Sequence, residues 1–146
     1  MYCSNTNWFF LYNEIPTSLL YLDYEALKSS TTKFQVALTN CETALPEYFD
    51  ANNSSPEYLC DMLSATGSLP FISKMRIING NKYLNGGLTN AIPIDHAFAQ
   101  NNKHLVVITT RPKGYEKKES KNKMLCKIFY RKYPHLVTFA IRNSKY

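Results

Sequence analysis

Two runs of apolar and β-branched residues constrain this chain most: Phe34-Gln35-Val36-Ala37-Leu38-Thr39 and His104-Leu105-Val106-Val107-Ile108-Thr109-Thr110. Each has the length of a strand, and neither alternates cleanly between apolar and polar positions. Such runs fit strands covered on both faces, as in the middle of a parallel sheet. Helix-patterned stretches lie between and around them, so the expected class is α/β with a mostly parallel sheet. A parallel sheet normally needs more than two convincing central strands. With only two, unpaired edges would be left over, and unpaired edges invite association. A truncated or split product whose missing strands come from a partner chain is one reading of such a sheet, and a decayed copy is the other.

Punctuation along the chain places the other elements. Asp23 precedes Tyr24-Glu25-Ala26-Leu27-Lys28 and suits an N-cap, because its carboxylate can accept the free amide hydrogens of a first helical turn. Ser55-Pro56 starts a second helix, with the serine at the cap and the proline at the first helical position. Its apolar stripe is Tyr58, Leu59, Met62 and Leu63, and Ser64-Ala65-Thr66-Gly67-Ser68 ends it. Asn40-Cys41-Glu42-Thr43 reads as a turn, after which Glu47-Tyr48-Phe49 returns as an edge strand. Asn79-Gly80-Asn81 between Met75–Ile78 and Lys82–Leu84 is a hairpin signal. Ile94–Gln100 is a short helix candidate. Lys121–Tyr133 and His135–Asn143 are amphipathic helix candidates split by Pro134.

The 146 residues fit a single domain, with a basic helical segment from about residue 116 to 146. Residues 103–146 hold twelve Lys/Arg against Glu116 and Glu119, a net of +10, whereas residues 1–102 hold five against nine acidic residues, a net of −4. That excess permits contact with anionic lipid or nucleic acid, as in a non-catalytic module that binds membrane or nucleic acid through its basic C-terminal helices; the plain alternative is a solvated helix face. Within it, Lys117, Lys118, Lys121, Lys123, Lys127, Arg131 and Lys132 surround Met124, Leu125, Ile128 and Phe129. The pattern fits a helix docked on a sheet, with membrane contact as a secondary use. Aromatics interleave the lysines, but no nucleic-acid fold motif is present, so a nucleic-acid partner is disfavoured.

Cys3, Cys41, Cys60 and Cys126 lack paired spacing, and His96, His104 and His135 lack ligand spacing. No metal and no cofactor is expected. Trp8-Phe9-Phe10-Leu11-Tyr12 has no basic flank before it and makes a poor signal peptide. No apolar stretch approaches the ~20 residues of a membrane span. The expected location is the cytoplasm, with the inner membrane face as a peripheral site.

The chemistry is concentrated in Tyr83-Leu84-Asn85-Gly86-Gly87-Leu88-Thr89-Asn90-Ala91-Ile92-Pro93-Ile94-Asp95. Small residues 64–70 and a hairpin precede this segment. A Val-Val-Ile-Thr-Thr strand pattern and Arg111-Pro112-Lys113-Gly114-Tyr115 follow it. In that order the motifs resemble the C-terminal half of bacterial patatin-like phospholipases, from about Asn13 onward. The resemblance implies a three-layer α/β sandwich and hydrolysis of phospholipids or other acyl esters. In the family a serine in a Gly-x-Ser-x-Gly elbow attacks the ester. An aspartate in Asp-Gly-Gly or Asp-Gly-Ala is its base, and a glycine-rich loop holds the oxyanion.

This chain departs from that pattern in two places. No Gly-x-Ser-x-Gly occurs, so the N-terminal half with the nucleophile elbow is missing and the domain reads as partial. The base position holds Asn85, beside the motif glycines Gly86 and Gly87. A neutral carboxamide cannot take a proton from a serine at neutral pH. The resemblance thus implies a hydrolase-family chain that is inactive alone. Asn85-Gly86 and Asn79-Gly80 are also deamidation-prone, since glycine leaves the following amide free to attack the side chain. Ser64, Thr66 and Ser68 are expected to cap a helix end, and His96 to be a surface or satisfied residue.

Overall fold

The computed structural model describes residues 10–20, 22–70, 72–109, 112 and 123–141. The expectations at Cys3, the 111–115 loop (apart from Pro112), Lys117, Lys118, Lys121 and Asn143 lie outside the described residues, as do Trp8, Phe9 and Thr110.

The sheet is built from hairpins. β1 (Gln35–Asn40) runs into β2 (Pro46–Asp50), and β3 (Arg76–Ile78) into β4 (Asn81–Asn85). The strand order is β2-β1-β4-β3, and each pairing is antiparallel. This overturns the expected mostly parallel, three-layer patatin-like sandwich. The physical reason lies in the connections. Asn40 accepts from the amides of Glu42 (2.8 Å) and Thr43 (3.2 Å) through its side chain, and Ala44 turns the chain at φ 55°. Asn79 and Gly80 turn it again at φ 50° and 79°. Turns this short can only return the chain beside itself, because a parallel neighbour needs a crossover of a dozen residues or more.

The second apolar run corrects the other half of the expectation. Residues 104–109 form no strand, and Val106 and Ile108 are 92% and 90% exposed. A run apolar on both faces needs neighbours on both edges and cover above and below. Here β1 holds the centre of the sheet. The edge strand β2 begins with a proline, which donates no ladder bond, and the other edge, β3, has only three residues.

Residues paired across the ladder share a face. Val36, Leu38, Ile78 and Tyr83 pack with Leu59, Met62 and Ala65 of α2 (Pro56–Thr66). On the opposite face Leu84 packs with Cys41, Ala44, Tyr130 and Leu136. The last two come from the basic segment, which contains α4 (Lys123–Phe129) and α5 (Pro134–Ile141). A π-helix (Phe10–Leu19) and α1 (Tyr24–Ser29) precede the sheet, and α3 (Ile94–Ala99) follows it.

The expected caps are in place. The Ala26 amide donates to Asp23 Oδ1 at 2.9 Å, and the Tyr58 amide to Ser55 Oγ at 3.2 Å. Asn52 closes the N-terminal side. Its Nδ2 donates to the carbonyls of Leu27 (2.9 Å) and Thr32 (3.0 Å), and its Oδ1 accepts from the Phe34 amide (2.6 Å).

Candidate functional site

Asn85 is the last residue of β4, opposite Leu38 of β1. Three bonds fix it. Its amide donates to the Ser68 carbonyl at 2.9 Å, and its carbonyl accepts from Thr39 Oγ1 at 2.8 Å. Its side-chain Oδ1 accepts from the Gly87 amide at 2.8 Å, which caps the 3-10 turn Gly86–Leu88. The Asn85 side chain is therefore spent on holding a turn.

The two glycines serve different needs. A Cβ on Gly86 would lie 2.2 Å from the Ala37 carbonyl oxygen and 2.6 Å from its carbon, inside the central strand. Backbone cannot yield there, so only glycine fits. A Cβ on Gly87 would lie 2.9 Å from Asn85 Oδ1, which is a side-chain atom and can move.

Behind the turn is a polar layer that the sequence did not reveal. Thr39 Oγ1 and Thr89 Oγ1 are 2.9 Å apart, with Thr39 fully buried. Asn90 Nδ2 donates to the Tyr48 hydroxyl at 2.8 Å. His96 stacks on Tyr48, with ring centroids 3.6 Å apart and 8° between the planes, and its Nε2 lies 2.9 Å from Gln35 Oε1. His96 is thus a satisfied residue, as its sequence context implied. These hydrogen-bonded partners are separated by 42 to 61 positions in the chain, and no local signal could have joined them.

Two hydroxyls of the small-residue segment, those of Thr66 and Ser68, are bound to backbone carbonyls. Ser68 meets Asn85 through its backbone, but its hydroxyl is fully buried and donates to the Ser64 carbonyl at 2.8 Å. Thr66 Oγ1 donates to the Ala37 carbonyl at 2.9 Å. Ser64 Oγ is buried without a hydrogen-bond partner among the described residues. Neither Thr66 nor Ser68 offers a free hydroxyl beside Asn85.

The described thiols are unreactive by environment. Burial pushes Cys41 up to about 12, the nearby Lys82 only partly opposing it, and burial also raises Cys60. Burial, with the hydrogen bond to Glu47 Oε2 at 2.7 Å, pushes Tyr83 up to about 12. Among the described residues, no cluster of three or more His, Cys, Asp or Glu is placed to hold a metal ion.

An apolar groove of about 320 Å³ adjoins the motif, lined by Ala91, Pro93 and Ala97 on one side and Leu105, Val106 and Ile108 on the other. Among the described residues no helix is long and apolar enough to cross a membrane. No family model, curated protein or solved structure matches this chain.

Proposed function

We propose that this chain derives from the patatin-like lipid acyl-ester hydrolases, or phospholipases, and turns over no substrate by itself. The Asn85-Gly86-Gly87 turn carries this reading. It is a strand-end turn in which Gly86 lies against the Ala37 backbone and the residue before it is held from three sides. The order of motifs along the sequence supports the family. The antiparallel sheet differs from the family's parallel sandwich and gives that assignment no support. The apolar groove built partly from Ala91 and Pro93 is suited in character to an acyl chain.

Asn85 offers a carboxamide where the family's mechanism needs a carboxylate, and the described serines and threonines near it are engaged with backbone carbonyls or with one another. Absence of turnover by the chain alone follows. A phospholipid or another acyl ester is the substrate class of a completed site, and a partner chain is the source of the missing serine.

The test is an esterase assay with short-chain acyl esters. The pure chain and Asn85→Asp should both stay at background. Co-expressed with a chain carrying the Gly-x-Ser-x-Gly half, Asn85→Asp should hydrolyse ester at least ~100-fold faster than the Asn85 form, since loss of a general base typically costs that much or more. Hydrolysis by the pure chain, or equal rates for the two co-expressed forms, would overturn the proposal.

A further inference from the structure

The basic segment does not dock as its amphipathic pattern would allow. Tyr130 and Leu136 are buried against Leu84 and Cys41, so the segment is anchored to the sheet at the junction between α4 and α5. Met124 and Ile128 of α4 lie outside that contact. Met124 is 76% exposed and Ile128 is 59% exposed. Helical spacing places Met124, Lys127 and Ile128 on one face, and Lys127 is exposed between them. Arg131 and Lys132, directly beyond the helix, are exposed as well. The result is an apolar strip with cations along and after it, in a region that carries all the chain's excess positive charge.

A covering surface must satisfy both features. Nucleic acid would reward Lys127, Arg131 and Lys132 but leave Met124 and Ile128 in water. An anionic bilayer rewards both, because the side chains enter the acyl boundary while the ammonium and guanidinium groups meet lipid phosphates. We propose that the Met124–Ile128 face of α4, with Lys127, Arg131 and Lys132, docks peripherally on an anionic lipid bilayer. The proposal goes beyond the hydrolase reading and does not depend on it, since docking requires neither Asn85 nor a nucleophile.

The experiment is co-sedimentation of the full chain with phosphatidylcholine vesicles, with and without phosphatidylglycerol, at low and high salt. Two variants accompany it: Met124→Ser with Ile128→Ser, and Lys127→Gln with Arg131→Gln and Lys132→Gln. All five side chains are exposed, so circular dichroism should show both variants folded. Binding should require phosphatidylglycerol and fall with salt. The triple variant should lose about 100-fold in partitioning, at roughly fivefold per cation. The double variant should lose at least tenfold, from two apolar side chains that no longer enter the interface. Equal binding to both vesicle types would overturn the proposal. So would an apolar double variant that binds like the parent, since adsorption would then be charge alone. Tighter binding to a duplex oligonucleotide than to the anionic vesicles would assign the surface to nucleic acid instead. None of these readouts involves ester hydrolysis, so failure here leaves the hydrolase reading untouched.

Discussion

The two Asn-Gly turns at either end of β4 share a dipeptide and little else. At Asn79-Gly80 both residues have positive φ, and a Cβ on Gly80 would meet nothing within 4 Å. Glycine is needed there for a backbone angle. At Asn85-Gly86 neither residue has positive φ, and a Cβ on Gly86 would fall onto the Ala37 carbonyl. Glycine is needed there for room. The first turn lies at the surface and the second is packed on the central strand. The same letters therefore answer to torsional freedom in one place and to close packing in the other.

The sharpest way to break this comparison is to add a methyl group at each glycine. Gly86→Ala forces the 3-10 turn away from β1 and should cost about 3 kcal/mol or more, as overpacking against rigid backbone does. Gly80→Ala strains one angle and should cost about 1 kcal/mol. Denaturant midpoints at unchanged slope would read both. Equal losses would mean that the seat on Ala37 is not a real constraint.

Alkaline titration probes the strand joining the two turns, through Tyr83, and the Cys41 turn whose amide donates to its Lys82 carbonyl at 2.8 Å. Folded Cys41 and Tyr83 are both pushed up to about 12, against ordinary values of 9.0 and 10.0. The fold favours their neutral forms, so their contribution is fully present below pH 9. It falls as the unfolded chain ionises first, through the window from 9 to 12. Cys41→Ala should remove the part of the loss that begins near pH 9 and leave the later part to Tyr83. A stability curve unchanged by that variant would show that Cys41 is not held neutral.

The smallest effect is chemical ageing. Deamidation needs the glycine amide to swing onto the side-chain carbonyl. Asn79 is held at the surface by a 3.0 Å bond from Nδ2 to the Tyr58 hydroxyl, whereas Asn85 is fixed through its amide, carbonyl and Oδ1. Peptide mass analysis should find the deamidation mass gain at Asn79 first. Faster conversion at Asn85 would mean that its turn opens readily.

What the sequence disclosed follows from range. Asp23, Ser55-Pro56 and Asn79-Gly80 act on residues within one turn of themselves, and each reading was borne out. Glu47-Tyr48-Phe49 was legible as an edge strand because a turn and a proline flank it. The Leu105–Ile108 run misled because strand propensity describes a side chain's fit to a sheet and says nothing of whether an edge is free to receive it. The hairpin turns, which set the antiparallel direction of β1-β2 and β3-β4, were both visible in the sequence beside the apolar runs. At the site, the Gly-Gly turn was legible. The capping role of Asn85 was not, because a capping amide and a lost base look identical in one-letter form. The Thr39–Thr89 contact spans fifty positions and leaves no local trace.

The seat of Gly86 on Ala37 also sets an order of assembly. During synthesis β1 and β2 are made before β4, so one flank of β1 has no strand to pair with until β4 follows. The glycine turn can close on that strand only then, as a latch closes on a door frame. A nascent chain halted before residue 85 would carry the frame without the latch, and would be the species most exposed to chaperones and proteases.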